Sequence, residues 1–195
     1  MIEQAVKEAL KYLYWCSLGL IIKHPPLPQK PCSFLFVCKG NLCRSPFAER
    51  ISRKILNGTL NENATFSSCG IEAKGFEMPP KEAVEAARGF GIDMKEHKPT
   101  RIDKEYLANF DMIIAMDAVQ YYELRRNYPG FRRKVFLLSL FEKDVCSKYT
   151  PFLRYNIPDP YNKSIEQFIL CYERIERCLL DLFKTVESGK VRSQL

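Results

Sequence analysis

The chain has 195 residues, of which 46% are hydrophobic and 27% charged, and its formal net charge is +7. This length suits one domain of ordinary size, and the composition excludes the disordered, collagen-like and coiled-coil classes. Eight cysteines stand against two histidines. Because eight is even, a secreted disulfide framework is one hypothesis to weigh, although a chain of this size can form a core without such staples.

The N-terminal residues form a segment of their own. Within residues 1–23, Ile2, Val6 and Leu13 share one helical face, which predicts an amphipathic helix. Residues 24–28 read His-Pro-Pro-Leu-Pro and predict a stiff, extended linker. Contact with a membrane surface, docking on a partner and packing on the domain are all open hypotheses for the helical part.

This layout predicts a helical extension and Pro-rich linker over 1–30, one domain over 31–190 and a tail over 191–195. The longest apolar run, residues 12–22, is too short to cross a membrane as a helix. Acidic and basic residues are mixed before it, which is not typical of a signal peptide. We therefore expect a soluble, reduced, cytoplasmic protein.

Strand and helix patterns alternate along the rest of the chain. Short apolar runs predict buried strands, and a helical spacing of apolar residues predicts helices between them. The alternation predicts an α/β fold with a doubly wound, four-stranded parallel sheet and helices on both faces, whose ligands bind beyond the C-terminal ends of the strands. The predicted strands cover residues 32–38, 65–69, 110–116 and 134–138, and the predicted helices begin near residues 46, 81, 118 and 165.

The informative motif follows the first predicted strand. Cys38 is separated by five residues from Arg44, and Ser45 and Pro46 follow with the pattern of a helix start, in which Ser45 is the N-cap. The same Cys-x5-Arg spacing recurs at Cys171, but that copy lies inside the last helical stripe and has no glycine in it. Only the first copy therefore joins a strand end to a helix start.

Such a loop is suited to binding a phosphate. Its backbone N–H groups can point inward, and the helix N-terminus adds positive potential. Gly40 allows the backbone to bend tightly, and the planar guanidinium of Arg44 matches two phosphate oxygens. The same field favours the thiolate form of Cys38, which can attack phosphorus and form a phosphocysteine. Ser45 can donate to that thiolate or cap the helix. The predicted phosphate-binding residues are Lys39, Gly40, Asn41, Leu42, Cys43, Arg44 and Ser45.

Phosphoryl transfer to a thiolate also needs an acid that protonates the leaving oxygen. Asp159 is the candidate, since Pro158 and Pro160 stiffen the chain on either side of this one carboxylate. Tyr161 follows directly.

Residues 37–46 and 157–161 resemble the two motifs of the low-molecular-weight protein tyrosine phosphatases. They read Val-Cys-Lys-Gly-Asn-Leu-Cys-Arg-Ser-Pro and Ile-Pro-Asp-Pro-Tyr. The resemblance runs from about Ser33 to the C-terminal helix and implies the phosphotyrosine phosphatase I-like fold. Residues 159–164, Asp-Pro-Tyr-x-Lys-Ser, are most similar to the bacterial branch associated with polysaccharide export.

The resemblance implies a role for each matching residue. Cys38 is the nucleophile, Arg44 holds the phosphate, and Asp159 is first the acid and then the base that activates water. Ser45 assists the thiolate. Asn41 holds the shape of the loop.

Further roles come from the same resemblance. His97 supports the hydrogen bonds of the loop from behind, and Tyr161 and Phe76 wall the pocket where the substrate ring stacks. Cys43 forms a reversible disulfide with Cys38 that protects the nucleophile from irreversible oxidation.

The implied partner is a phosphotyrosine protein, such as an autophosphorylated bacterial tyrosine kinase. We expect no cofactor and no metal, because two histidines and the lack of a Cys-x-x-Cys motif give no zinc ligand set. The basic runs at 125–126 and 132–134 do not belong to a nucleic-acid module, so no nucleic-acid partner is expected.

Three alternatives compete with the tyrosine phosphatase. A phosphate-binding module would need neither Cys38 nor Asp159. An arsenate reductase shares the fold and the loop but needs resolving cysteines, and Cys69 and Cys146 do not form a clear late pair. A protein-arginine phosphatase resembles Cys-x-Gly-Asn-Thr-Cys-Arg-Ser, with Thr where this chain has Leu42. Because leucine offers no hydroxyl to a guanidinium-linked substrate, phosphotyrosine is favoured.

Overall fold

A computed structural model describes residues 22–57, 64–143 and 150–188, together with positions 6, 7, 10, 13, 14 and 17. Those six positions are helical, in agreement with the predicted N-terminal helix. Ile2 of its predicted apolar face and the predicted tail over 191–195 lie outside the described residues.

The described residues form one four-stranded parallel sheet. Strands β1 (Ser33–Cys38), β2 (Thr65–Gly70), β3 (Met112–Ala115) and β4 (Val135–Leu137) are arranged in the order β2-β1-β3-β4. All three neighbouring pairs are parallel. The four strands are those that the sequence predicted, and the doubly wound fold is confirmed.

Six α-helices connect and follow the strands within the described ranges. None of them is long and apolar enough to cross a membrane. The two short helices Lys104–Ala108 and Pro151–Arg154 were not predicted, because four or five residues are too few to show a periodic pattern. The helices are α1 (Arg44–Leu56), α2 (Lys81–Gly89), α3 (Lys104–Ala108), α4 (Ala118–Asn127), α5 (Pro151–Arg154) and α6 (Ile165–Ser188).

The sheet separates two apolar cores, since successive strand residues point to opposite faces. Phe34 and Phe36 of β1 pack in the core shared with α1, α2 and α6. Leu35 and Val37 pack in the core shared with α3 and α4. Both faces of the central strand are therefore buried, which explains why β1 is a continuous apolar run.

The strand order creates a crevice at one edge of the sheet. From β1 the chain crosses to β2 on one side, whereas β3 and β4 lie on the other side of β1. The loops that leave the C-terminal ends of β1 and β3 therefore diverge, and ligands of doubly wound sheets bind at such a switch point. Cys38 ends β1, and Asp117 follows β3 at this crevice.

The chain from Ile22 to the beginning of the predicted linker packs against the domain. Ile22 is almost fully buried in the core beside α4, and the Tyr121 hydroxyl donates to the Lys23 carbonyl at 3.1 Å. The His24 ring lies 4.4 Å from the Phe141 ring, and its Nε2 is 3.0 Å from the Leu137 carbonyl oxygen. His24 therefore pairs with the backbone of Leu137 in β4, an edge strand whose unpaired backbone groups would otherwise invite association.

Acid is expected to weaken this docking through His24. Burial lowers the pKa of His24 from 6.5 to about 4, although the hydrogen bond to Leu137 acts in the opposite direction. The folded pKa lies below the unfolded one. The contribution of neutral His24 to the free energy of unfolding is therefore intact above about pH 6.5 and is lost as the pH falls towards 4. The loss is at most about 3 kcal/mol. Urea unfolding of wild type and His24→Phe at several pH values measures it, because phenylalanine keeps the ring contacts without titrating. Equal slopes of stability against pH would contradict the assignment.

Candidate active site

The loop between β1 and α1 wraps residues 39–43 around the Cys38 sulfur. Asn41 has a positive φ of 56°, and its backbone N–H donates to Cys38 Sγ at 3.2 Å. The expectation that Gly40 provides the conformational freedom is wrong, because the left-handed residue of this loop is Asn41. A Cβ on Gly40 would meet only the Leu42 side chain, at an ordinary 3.5 Å. Asparagine adopts this conformation more readily than most residues.

The glycine that the loop requires is Gly70, at the end of β2. A Cβ there would lie 2.7 Å from the Lys39 carbonyl oxygen and 2.8 Å from the Asn41 nitrogen, closer than real contacts allow. The N–H of Ile71 also donates to the Cys38 carbonyl at 3.1 Å. The loop therefore rests directly on the backbone of β2, and any side chain at position 70 would displace it.

Two donors converge on the sulfur of Cys38, which is 3% exposed. The Ser45 hydroxyl donates at 3.0 Å and the Asn41 N–H at 3.2 Å. Both groups donate to the sulfur, so the sulfur is the acceptor at the centre of the loop. The prediction that Ser45 is the N-cap is wrong, because α1 begins at Arg44 and Cys43 occupies the cap position without a side-chain cap. Ser45 instead makes the other contact that the sequence allowed, the one to the sulfur.

The Asn41 side chain holds the loop through bonds to three other segments. Its Nδ2 donates to Ser45 Oγ and Ser68 Oγ, each at 2.9 Å. Its Oδ1 accepts from the Thr100 N–H at 2.8 Å. Ser68 in turn donates to Glu49 Oε2 at 2.7 Å. The supporting position predicted for Asn41 is therefore the one that it occupies.

His97 is buried behind the same loop. Its Nε2 lies 2.8 Å from the Asn41 carbonyl oxygen and 3.2 Å from Asn41 Oδ1, so Nε2 carries the proton and donates. Its Nδ1 accepts from Arg50 Nη2 at 3.3 Å. Burial and the charge of Arg50 lower the pKa of His97, which favours this neutral form.

Arg44 is the centre of the site and is 2% exposed. Its Nη1 donates to Asp117 Oδ2 at 2.9 Å and to the Ile157 carbonyl at 3.0 Å, and its Nη2 donates to Asp159 Oδ2 at 2.6 Å. Burial alone would lower the pKa of this guanidinium, but the charges of Asp159, Cys38 and Asp117 raise it above its usual value. Arg44 is thus a fixed cation that joins the loop to the predicted acid.

Asp159 combines this ion pair with access to solvent. Its side chain is 43% exposed, and its Oδ1 accepts from the Tyr161 N–H at 3.2 Å. Asp159 is therefore a partly exposed carboxylate at the rim of the site, tied to the loop through Arg44.

The remaining predicted residues take different places. Tyr161 and Phe76 are exposed aromatics, with 48% and 83% of their surface accessible. Lys39 is exposed and pairs with Glu72 at 3.4 Å. Cys43 is buried, and burial and the charge of Cys38 raise its pKa, which keeps it a thiol.

Asp117 was missed as a functional residue. It is the N-cap of α4, because its Oδ1 accepts from the Gln120 N–H at 2.9 Å. Its second oxygen fixes Arg44. The sequence feature that could have identified Asp117 was its position two residues after β3, at the same edge of the sheet as Cys38.

Replacing Asp117 by asparagine is expected to lower kcat/KM about 10- to 100-fold, the effect of losing one charged hydrogen bond to Arg44. Stability should also fall, because the buried Arg44 loses a charged acceptor, although asparagine is an equally good N-cap. The matched control is Asp103→Asn, since Asp103 caps α3 in the same way. Kinetics with an aryl phosphate and thermal unfolding of both variants measure the difference. Equal kcat/KM values for the two variants would contradict the role of Asp117.

The chain resembles known phosphatases over nearly all of these elements. Residues 33–192 match the family described as "Low molecular weight phosphotyrosine protein phosphatase". The probable low molecular weight protein-tyrosine-phosphatase EpsP of Ralstonia nicotianae is 32% identical over 146 residues, which cover 74% of this chain and 89% of that protein. The low molecular weight phosphotyrosine protein phosphatase of Sus scrofa is 33% identical over 151 residues, covering 75% and 90%.

A solved structure agrees with these relatives. The tyrosine phosphatase Wzb from Escherichia coli K30, in complex with sulphate, superposes with a TM-score of 0.67 and 26% identity, covering 80% of this chain and 99% of that chain. The match to the bacterial EpsP and Wzb agrees with the bacterial branch that the sequence suggested, and it confirms the resemblance stated there. The chain belongs to the low-molecular-weight phosphotyrosine protein phosphatase family.

Proposed function

We propose that this chain hydrolyses phosphotyrosine in proteins through a phosphocysteine on Cys38. One observation carries the proposal: a buried sulfur that accepts two hydrogen bonds lies in the same loop as a buried arginine that also holds the carboxylate of Asp159. Nucleophile, cation and acid are the three groups that phosphate-ester cleavage by a thiolate needs. As a member of this family the chain is a hydrolase of phosphoric monoesters.

In the first step, the substrate phosphate binds the N–H groups of the loop and the guanidinium of Arg44. Asp159 carries a proton in this complex, since it serves as the acid of this step. The Cys38 thiolate attacks phosphorus while the bond from phosphorus to the phenolic oxygen breaks. The Asp159 proton passes to that oxygen, and tyrosine leaves.

In the second step, water replaces the phenol. The Asp159 carboxylate takes a proton from this water, which attacks the phosphorus of the phosphocysteine. The S–P bond breaks, inorganic phosphate is released, and Cys38 returns as the thiolate that Ser45 and the Asn41 N–H stabilise.

The surroundings of the loop favour an aryl phosphate. Tyr161 and Phe76 are exposed aromatic side chains on loops that follow the crevice, and we propose that they flank the ring of the substrate. Leu42 offers no hydroxyl for a guanidinium-linked phosphate, which argues against an arginine phosphatase.

We propose a phosphotyrosine protein as partner, of the kind supplied by an autophosphorylated bacterial tyrosine kinase. A cytoplasmic location suits this role, because a reactive thiolate persists only in a reducing compartment. Cys43 completes the proposal as a redox guard. When a peroxide has oxidised Cys38 to a sulfenic acid, the Cys43 sulfur attacks it, water leaves and a disulfide forms.

A comparison of three substrates tests this function. Purified full-length protein is given a phosphotyrosine peptide, the matched phosphoarginine peptide and arsenate with a thiol reductant. We expect the phosphotyrosine peptide to give the highest kcat/KM and arsenate to be left unreduced. Rapid acid quench followed by mass spectrometry should find a phosphoryl group on the peptide that contains Cys38. Faster hydrolysis of phosphoarginine, or reduction of arsenate, would overturn the assignment.

A further inference from the structure

A second buried arginine, Arg174 in the middle of α6, is not used by the chemistry described above. It is 5% exposed. Its Nη2 donates to the Leu153 carbonyl at 2.6 Å, its Nη1 to the Asn156 carbonyl at 2.7 Å and its Nε to Glu142 Oε2 at 3.0 Å. Since Glu142 is also buried, this ion pair lies in the interior, where an arginine must be fully hydrogen-bonded.

The two carbonyls that Arg174 holds belong to Leu153, in the last turn of α5, and to Asn156, two residues beyond the end of that helix. The next residues lead to the acid. Ile157 is fixed on both sides, because its N–H donates to the Met116 carbonyl at 2.9 Å and its own carbonyl accepts from Arg44 at 3.0 Å. Asp159 follows two residues later. The segment that Arg174 anchors therefore carries the Ile157 carbonyl that accepts from Arg44 and leads directly to the proposed acid.

The Asn156 side chain joins the same anchor to the crevice. Its Oδ1 accepts from the Ala118 N–H at 3.2 Å, and its backbone bridges to Asp117. Its Nδ2 donates to the Phe152 carbonyl at 2.7 Å, inside α5. Arg174 therefore holds a segment that contacts the Asp117 loop and continues into Asp159. Both of these carboxylates bind Arg44.

We propose that Arg174, held by Glu142, is a positioning residue that sets the place of Asp159 over the leaving oxygen. The inference rests on the proposed role of Asp159 as the acid. Arg174 does not touch the reacting atoms. It fixes residues 153–157, and small displacements of a proton donor have large effects on rate.

The leaving group provides a readout that a merely structural role would not move. The phenol of phenyl phosphate needs a proton on its departing oxygen. The 2,4-dinitrophenolate released from 2,4-dinitrophenyl phosphate is a stable anion and needs none. The ratio of kcat/KM for these two substrates does not depend on how much of the protein is folded, because the same active molecules hydrolyse both. A loss of stability alone leaves this ratio unchanged.

The test uses the double variant Arg174→Met with Glu142→Gln in the full-length chain. The second change removes the negative charge of Glu142, which would otherwise lose its buried partner Arg174. We expect kcat/KM for phenyl phosphate to fall about 10-fold or more relative to that for the dinitrophenyl ester, a fraction of the range that general acids contribute. Arg174→Lys, which cannot reach both carbonyls, should shift the ratio less and serves if the double variant does not fold.

Two further variants separate the possible failures. Arg177→Met removes a half-exposed arginine of the same helix that pairs with the other oxygen of Glu142 at 3.4 Å, and it should leave the ratio unchanged. Asp159→Asn calibrates the readout. If Asp159→Asn shifts the ratio and both Arg174 variants do not, the positioning role is overturned while the proposed function stands. If Asp159→Asn itself does not shift the ratio, the acid assignment fails, and this inference fails with it.

Discussion

Replacing Cys38 by serine is expected to abolish hydrolysis of aryl phosphates, with a fall in kcat of about 10⁴-fold or more, since removing a covalent nucleophile has effects of this order in other hydrolases. A serine hydroxyl is a weak nucleophile without a base, and the two donors at this position stabilise an anion rather than remove a proton. The loss should appear at every pH, in kcat and in kcat/KM alike. Steady-state kinetics on an aryl phosphate measure it.

The Cys38→Ser variant should still bind phosphate, because the loop N–H groups and Arg44 are unchanged. Protection against thermal unfolding by inorganic phosphate, compared with wild type, checks this point. The matched control is Cys32→Ser, since Cys32 is an exposed thiol at the opposite end of β1. Residual activity in Cys38→Ser above about 10⁻² of the wild-type rate would be far too high for a missing nucleophile.

Replacing Arg44 by lysine is expected to lower kcat/KM about 10³-fold or more, the range over which an arginine stabilises phosphoryl transfer. Lysine keeps the positive charge. It cannot, however, offer two parallel N–H donors to a phosphate while donating to the Ile157 carbonyl and to Asp117. Charge alone is therefore not sufficient at this position.

The control for this change is Arg88→Lys, on the exposed end of α2. It should have the activity of wild type. Because Arg44 is buried against two carboxylates, its replacement also removes stability, so activity is normalised to the folded fraction measured by circular dichroism. An Arg44→Lys variant within tenfold of wild type, or about 1.4 kcal/mol in transition-state energy, would contradict the role of the planar fork.

The sheet was predictable from the sequence because its signal is local. Each strand is a short apolar run, and β1 is apolar throughout because both of its faces are buried. The α3 and α5 helices were not predictable, since four or five residues contain no full periodic pattern. The packing of His24 on β4 was also hidden, because the prolines around it indicate only an extended chain.

The residues of the candidate site likewise fall into those that a local sequence pattern identifies and those that only the fold brings together. Cys38, Arg44 and Asp159 lie in motifs whose residues are adjacent in sequence, so they could be named in advance. The need for Gly70 and the second contact of Asp117 depend on which backbone segments meet, and no local pattern records that. The contacts of Arg174 belong to this second class.

Ser45 shows the limit most clearly. A serine before a proline at a helix start is a good N-cap in isolation. In the fold, the helix begins two residues earlier, at Arg44, and the Ser45 hydroxyl donates to the Cys38 sulfur instead. Local preference and tertiary contact competed for one hydroxyl, and the tertiary contact prevailed.

The ion pairs of Arg44 have a consequence for how the protein becomes active during folding. Asp117 lies 73 positions away along the chain and Asp159 lies 115 positions away. Contacts between such distant residues require large loops to close, which makes them slow to form. A chain that has formed β1, α1 and β2 already has the loop of Cys38 resting on Gly70, but its arginine has neither carboxylate. We therefore expect enzymatic activity to return on refolding with the closure of the Arg44–Asp159 contact, which spans more of the chain than the pairing of Phe34 with Met112 in the sheet.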